Sequence, residues 1–135
     1  MKSNFKEVKR SGALRDRLTV GESLYEGEYL KSSQYEYYAT LQTDGNFVVY
    51  VSSHFSYKNA LWASDTGQST AQRPFRLTLQ ADGNLVIYDA YNRAVWASKT
   101  DFKGSIGHKL VMQSDGNLVL YDGRYNATWA TGTWR

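Results

Sequence analysis

The 135-residue sequence contains no cysteine, one proline and two histidines. Without cysteine the chain has no disulfides, no thiolate metal ligands and no cysteine nucleophiles. His54 and His108 alone cannot build a histidine-rich metal site, and a catalytic dyad is nearly excluded as well. The longest uninterrupted apolar run is five residues, Phe47–Val51, so we expect no membrane insertion. The sequence therefore predicts no metal and no cofactor.

The amino-terminal segment MKSNFKEVKRSG has basic residues but lacks the apolar stretch of a secretory signal. Three possibilities follow: the protein leaves the cell by an unconventional route, it stays inside the cell, or the sequence is that of a mature form. Of these we expect a secreted or mucosal location reached by an unconventional route, with a cytoplasmic location as the alternative.

Positive charge is concentrated at the amino terminus. Residues 1–17 hold six basic and two acidic residues, so the other 118 residues carry a balance of −1 within the net charge of +3. A nucleic-acid partner requires a basic patch on the folded body, and we therefore expect none. We interpret residues 1–14 as a basic, solvated arm and residues 15–135 as one domain.

The chain is rich in aromatic residues and contains a threefold repeat. Aromatic residues make up 15% of it, with 11 tyrosines and 11 glycines, a composition that favours strands and turns. The segments LQTDGNFVVY, LQADGNLVIY and MQSDGNLVLY begin at Leu41, Leu79 and Met112. Each is followed by a tryptophan in LWAS, VWAS or TWAT; these are Trp62, Trp96 and Trp129. The repeats cover about residues 18–64, 65–98 and 99–131.

Each repeat reads as a β-hairpin followed by a further strand. The Asp-Gly pair between two alternating apolar segments is a strong hairpin signal, and no window has a helical period. The sequence therefore predicts an all-β domain. Because a few short strands cannot bury a face alone, we expect the units to pack around a common axis filled by the three tryptophans.

The outward face of each hairpin repeats one set of side chains. The order is Gln-x-Asp-x-Asn-x-Val-x-Tyr, which combines hydrogen-bond donors and acceptors with one apolar contact. A neutral hexose, with its vicinal hydroxyls and C–H edge, fits that chemistry. The predicted carbohydrate-binding residues are Gln42, Asp44, Asn46, Val48, Tyr50, Gln80, Asp82, Asn84, Val86, Tyr88, Gln113, Asp115, Asn117, Val119 and Tyr121.

The pattern, present three times over about Leu18 to Arg135, resembles the bulb-type (snowdrop agglutinin-like) mannose-binding lectins, or B-lectin domains. The resemblance implies a β-prism II fold of three antiparallel four-stranded sheets around a pseudo-threefold axis, with metal-independent binding. It also implies that Asp44 and Asn46 bind the 2-hydroxyl of mannose, Gln42 the 3-hydroxyl and Tyr50 the 4-hydroxyl. Val48 would pack on the ring carbons, and the same roles pass to the other two repeats.

Three features depart from that family or extend beyond its core. Plant members usually carry a disulfide, so the absence of cysteine points to animal or microbial relatives. The first repeat has an insertion near His54, which makes the first site the one expected to differ, with His54 itself on a surface loop. The ending ATWATGTWR resembles the strand that these lectins exchange between subunits, with Trp134 suited to burial in a partner, so we expect a homodimer with six sites.

An enzyme is not expected, because each repeat offers one aspartate without an acidic partner and there is no nucleophilic triad. A β-trefoil is disfavoured because no glutamine stands two residues before a tryptophan. The resemblance implies a lectin for α-D-mannose and mannose-rich glycans on glycoproteins or cell surfaces, with multivalent avidity and a role in innate defence. The alternative is a non-catalytic structural or protein-interaction module in which the repeats serve only the fold.

Overall fold

The computed structural model describes residues 15–67 and 70–135 in full, and the backbone of residues 6–7, 9–10 and 13–14. The rest of the predicted arm over residues 1–14 lies outside the described residues. Strands dominate, and one 3₁₀ helix spans Tyr57–Asn59. Within the described part of the chain, no helix is long and apolar enough to cross a membrane.

The strands are short, and most have four residues. They are β1 (Lys6–Glu7), β2 (Lys9–Arg10), β3 (Ala13–Leu14), β4 (Arg17–Thr19), β5 (Ser23–Tyr25), β6 (Glu28–Lys31), β7 (Tyr38–Leu41), β8 (Phe47–Tyr50), β9 (Ala60–Ala63), β10 (Arg76–Leu79), β11 (Leu85–Tyr88), β12 (Ala94–Ala97), β13 (Lys109–Met112), β14 (Leu118–Tyr121) and β15 (Ala127–Ala130).

Three antiparallel four-stranded sheets form the body of the molecule, which confirms the predicted architecture. Their strand orders are β6-β7-β8-β9, β12-β11-β10-β5 and β15-β14-β13-β4, and β1 adds a parallel fifth strand beside β6. Each repeat thus contributes three consecutive strands to one sheet. The two remaining short strands, β2 and β3, pair with each other.

The fourth strand of every sheet comes from the segment before the first hairpin. That segment runs through β4, β5 and β6, which join the third, second and first sheets respectively. Gly21 and Gly27 make the turns between these strands, with φ of 86° and 87°. The sequence repeat of about 18–64 is therefore not a spatial unit, because its leading strands complete the sheets of the other two repeats.

The Asp-Gly hairpins form as predicted, with three-residue loops. In the first, the Gln42 N–H donates to the Asn46 carbonyl at 2.8 Å and the Gly45 N–H donates to the Gln42 carbonyl at 3.0 Å. Gly45 has φ of 88°, a left-handed conformation that closes the loop as a bulge and that glycine adopts without strain. The other two hairpins repeat this pattern.

The three sheets enclose one core around the axis. Inward-facing residues such as Phe47 and Val49 are fully buried, and they alternate with residues on the outer face. Trp62, Trp96 and Trp129 pack edge to face in a closed ring with centroid separations of 5.9, 5.4 and 5.6 Å. The predicted filling of the axis by these tryptophans is thereby confirmed.

Candidate functional site

The fifteen predicted residues lie in three sets of five, each on the outer face of one hairpin. The glutamine lies at the end of the incoming strand, and the aspartate lies in the loop. The asparagine directly precedes the outgoing strand, and the valine and tyrosine lie within it. The glutamines and asparagines are half-buried, and each valine is only 3% exposed, so it forms an apolar floor between its polar neighbours.

Each aspartate uses one carboxylate oxygen to hold the loop. The Asn46 backbone N–H donates to Asp44 Oδ1 at 2.9 Å, and the same bond recurs at Asp82 and Asp115. Within the described residues, Oδ2 of Asp44 and of Asp82 accepts no hydrogen bond. In the third set the Gln113 amide donates to both oxygens of Asp115, at 3.1 and 3.2 Å. The first two sets therefore present a free anionic acceptor at the surface.

Each asparagine uses only one of its two polar side-chain atoms to hold the hairpin. Asn46 Oδ1 accepts from the Ser64 hydroxyl at 3.2 Å and from the backbone N–H groups of Asp65 and Thr66 at 2.9 and 3.3 Å. Corresponding bonds tie Asn84 to Ser98 and Thr100, and Asn117 to Thr131, Gly132 and Thr133. The Nδ2 amide of each asparagine has no acceptor among the described residues, so it remains available as a donor.

The glutamine and tyrosine of each set meet across the hairpin. The Gln42 amide donates to the Tyr50 hydroxyl, and Gln80 makes the same bond to Tyr88. In the third set the direction is reversed, because the Tyr121 hydroxyl donates to the Gln113 carbonyl oxygen. In the first two sets the phenol proton is thus left free to donate to a ligand.

Sequence reasoning missed two supporting positions that recur with the repeat. A threonine four residues after each tryptophan donates to the glycine carbonyl of the hairpin loop; these are Thr66, Thr100 and Thr133. A ring also covers each loop glycine: Phe75 over Gly45, His108 over Gly83 and Tyr37 over Gly116. The signal was present as spacing, since 37, 75 and 108 are separated by the same intervals as the glutamines.

The insertion after β8 makes the first site different, as predicted. His54 is exposed on the loop, but Phe55 folds back and stacks on the Tyr50 ring with a centroid separation of 4.8 Å and an interplanar angle of 15°. Tyr29 and Tyr38 pack against Phe55 edge to face. Tyr50 is consequently only 5% exposed, and this burial raises the pKa of its phenol.

The carboxyl-terminal strand β15 pairs with β14 of its own chain, and Thr133 binds the third hairpin loop. Trp134 beyond it is 68% exposed. Exchange of this strand between subunits, and burial of Trp134 in a partner, stay predictions.

The chemistry of the sites follows from these free atoms. Every site has a free amide N–H beside an apolar floor, and the first two also have a free carboxylate oxygen and an undonated phenol proton, which in the first site lies beneath Phe55. In the third site Gln113 occupies the carboxylate and the phenol. Such donors and acceptors match adjacent sugar hydroxyls. No group of three or more potential metal ligands occurs in the described ranges. A cavity of about 330 Å³ lies beside the Asp89–Arg93 turn, and none of the fifteen predicted site residues lines it.

Solved structures resemble this chain over nearly its whole length. A monomeric mannose-binding lectin from Gastrodia elata is 40% identical, with a TM-score of 0.75 over 89% of this chain and 99% of its own. A Polygonatum cyrtonema lectin is 39% identical, with a TM-score of 0.67 over 87% and 96% of the two chains. The snowdrop (Galanthus nivalis) mannose-specific agglutinin is 33% identical, with a TM-score of 0.67 over 89% and 98%.

No protein-family model and no curated protein matches the chain. These three related structures are of lectins, in agreement with the prediction that this chain is not an enzyme. Their identity and coverage, together with the three-sheet fold, show that this chain belongs to the bulb-type mannose-binding lectins.

Proposed function

We propose that this lectin binds α-D-mannose and mannose-rich glycans without a metal ion, through the three Gln-x-Asp-x-Asn-x-Val-x-Tyr sites. The observation that carries the proposal is that some polar atoms of each site hold the hairpin while others remain free. One atom of the aspartate and one of the asparagine hold the hairpin, while the asparagine Nδ2 amide of every site and Oδ2 of Asp44 and Asp82 are unused. A fold-only role would not require a free donor and acceptor on the same exposed edge.

The names of related structures support the choice of sugar. The snowdrop agglutinin was crystallised with methyl α-D-mannoside, the Polygonatum lectin with a monomannoside and the tarin lectin with trimannose. The free donor and acceptor on this chain are of the kind that bind neighbouring hydroxyls on one ring. Mannose is therefore the hexose to test first.

Binding at each site should be weak, because a shallow outer face leaves much of the sugar in water. We expect a millimolar Kd, equivalent to about −4 kcal/mol. Useful strength would come from several sites on one branched glycan or cell surface, which can raise avidity by about 10²- to 10⁴-fold. That requirement fits three sites on three different sheets.

The test is calorimetric titration with methyl α-mannoside in the presence of a chelator. The wild-type chain should give saturable heat from three sites. In a triple variant, D44N/D82N/D115N, the retained amide oxygen can still accept the loop N–H, while the second oxygen, which is free in Asp44 and Asp82 and accepts from Gln113 in Asp115, becomes a donor. We expect this variant to keep its unfolding midpoint and to lose at least tenfold in affinity at every site.

Glu36→Gln is the matched control, because it removes an exposed carboxylate outside the three sites. It should leave mannoside binding unchanged. If the wild-type chain is folded and gives no heat, or if the triple variant binds as the wild type does, the repeats serve the fold or another ligand and the proposal is wrong.

We also propose that the chain forms a homodimer with six sites through its carboxyl-terminal region. The support is the exposed Trp134, a large apolar side chain four residues after the end of β15, which is the edge strand of its sheet. The monomeric relative from Gastrodia elata represents the contrary state in the same family.

A further inference from the structure

At the tyrosine end of the second site, three side chains form a row across the outer face of the sheet. Strand pairing places Arg76 between Tyr25 of β5 and Tyr88 of β11. The Arg76 guanidinium carbon lies 4.7 Å from the centroid of the Tyr88 ring, in a cation–π contact. Because Tyr88 belongs to the predicted mannose site, the cation is adjacent to that site.

A groove continues from this row. It has a volume of about 260 Å³ and is lined by Tyr25, Pro74, Phe75, Arg76 and Ala90. Tyr25 is 56% exposed, so its ring is accessible along the groove. The groove thus offers a cation and an aromatic surface next to the sugar site, beyond the five residues of the repeated motif.

Arg76 is not neutralised by a carboxylate of the described residues, within which it forms no ion pair. The nearby acid Glu26 is engaged: Oε2 binds the Arg73 guanidinium at 2.5 Å, and Oε1 accepts from the Phe75 backbone N–H at 3.0 Å. Glu28 accepts from the Tyr25 backbone N–H at 2.9 Å. A guanidinium that lacks an acid partner can donate two parallel hydrogen bonds to a planar or tetrahedral anion.

The other two sites lack this arrangement. In the first, the cation of the row is Lys31, which is paired with Glu36 at 3.6 Å, and Tyr38 occupies the position of Arg76. In the third, Lys109 lies 3.9 Å from the Tyr125 ring, and the tyrosine of the groove is replaced by Thr19. The Thr19 hydroxyl donates to Glu22, which brings an acid to that end of the row.

We propose that the second site selects a mannose residue that carries an anionic group, with the anion bound by Arg76 in the groove. This inference rests on mannose binding at the site itself. The exocyclic C6 position reaches furthest from the ring, and a phosphate or carboxylate there supplies the acceptor oxygens that a guanidinium prefers. The gain in affinity is limited because the Asp82 carboxylate, at the opposite end of the site, repels an anionic ligand.

The experiment is an NMR titration of the ¹⁵N-labelled full chain with methyl α-mannoside, mannose 6-phosphate, methyl α-mannuronoside and inorganic phosphate. Amides of Val48, Val86 and Val119 report the three sites separately. We expect mannose 6-phosphate to bind the second site about three- to tenfold more tightly than methyl α-mannoside, and to shift the amides of Tyr25 and Ala90 as well. The mannuronoside distinguishes a carboxylate from a phosphate as the preferred anion.

Arg76→Gln should abolish that preference and leave methyl α-mannoside binding within twofold of wild type. Lys109→Gln, at the equivalent position of the third site, is the matched control and should retain it. The inference is wrong if the anionic sugars bind the second site no more tightly than methyl α-mannoside. It is also wrong if inorganic phosphate alone shifts the groove amides equally, or if Lys109→Gln rather than Arg76→Gln removes the effect.

The two proposals fail in different ways. If methyl α-mannoside binds at three sites and no site prefers an anionic sugar, only the proposal for the groove is overturned. If an anionic sugar binds the second site and methyl α-mannoside binds at neither of the other two, only the proposed general function is overturned. The wild-type shifts of Tyr25 and Ala90 decide the question even if Arg76→Gln fails to fold.

Discussion

At the scale of single residues, the site and the fold share side chains. Asn46 uses its oxygen to hold the segment after Trp62 and leaves its amide nitrogen free. Removal of the whole asparagine side chain would therefore weaken the hairpin as well as the site, because the backbone N–H groups of Asp65 and Thr66 would lose their acceptor. Substitutions that keep one atom and change the other separate the two roles, which is why Asp→Asn variants are the informative ones.

The loop glycines offer a test of tertiary packing on the hairpins. Gly83 has φ of 89°, and a Cβ atom there would lie 2.5 Å from Nε2 of His108. Gly21 has φ of 86° with no atom within 4 Å of its Cβ position. Gly21→Ala should therefore lower the free energy of unfolding by about 1–2 kcal/mol through backbone strain. Gly83→Ala should cause the same strain and lower the free energy of unfolding by about 1–3 kcal/mol more through overpacking. Urea unfolding of both variants measures the difference.

Gly21→Ala serves here as the matched control, because it has the same backbone conformation without the ring. Equal losses of stability in the two variants would show that His108 moves aside freely and that the ring contributes no packing at this turn.

At the scale of elements, the three hairpins are similar and the connections between them are not. The loop Val51–Asn59 brings Phe55 onto Tyr50, so only the first site has a stacked aromatic cover. The loop after Thr100 is held by Asp122, whose pKa is lowered to about 2 by the backbone N–H groups of Ser105 and Asn126. The three sites share the same repeated residue types, but the loops beside them differ in sequence and give each site different surroundings.

Phe55→Ala tests the aromatic cover. We expect a loss of about 1–3 kcal/mol of stability, because a half-buried ring and its aromatic contacts are removed. The pKa of Tyr50, which burial raises, should fall towards its ordinary value of 10.0 as water reaches the phenol. Chemical denaturation and a phenol titration followed by NMR provide the two measurements.

Phe102→Ala is the comparison, because Phe102 is 86% exposed and its loss should change stability by no more than about 0.5 kcal/mol. An unchanged Tyr50 titration in Phe55→Ala would contradict the assignment of burial as the cause of the shift.

At the scale of the whole molecule, the three sheets are joined in two ways. The tryptophan ring contacts all three sheets at the axis, and the segment of β4, β5 and β6 supplies one strand to each. The second and third sheets are therefore incomplete without strands from the first part of the chain. This arrangement would hold the three proposed sites at fixed directions, which is the geometry that multivalent binding requires.

Sedimentation velocity tests the proposed dimer. We expect the wild-type chain to sediment as a dimer and Trp134→Ala to shift it towards monomer, because a large apolar contact is lost. Phe102→Ala removes another exposed aromatic side chain and should not change the distribution. A monomeric wild-type chain at micromolar concentration would overturn the proposal and leave avidity to three sites alone.

The hairpins and the inward and outward faces of their strands could be predicted from the amino-acid sequence alone. These depend on local turn chemistry and on a period of two, both of which can be read within ten residues. The repeat then predicted which side chains share an outer face. The predicted positions of Gln42, Asp44, Asn46, Val48 and Tyr50 on one hairpin followed from that local pattern.

The folded chain was needed to show which strands complete each sheet, which rings cover Gly45, Gly83 and Gly116, and that Phe55 buries Tyr50. It also placed Arg76 between two tyrosines from different segments of the chain. These contacts join residues far apart in the sequence, and neither periodicity nor turn chemistry specifies such partners. They arise because the three sheets close around one axis, and that closure brings together side chains whose neighbours in the sequence give no sign of the meeting.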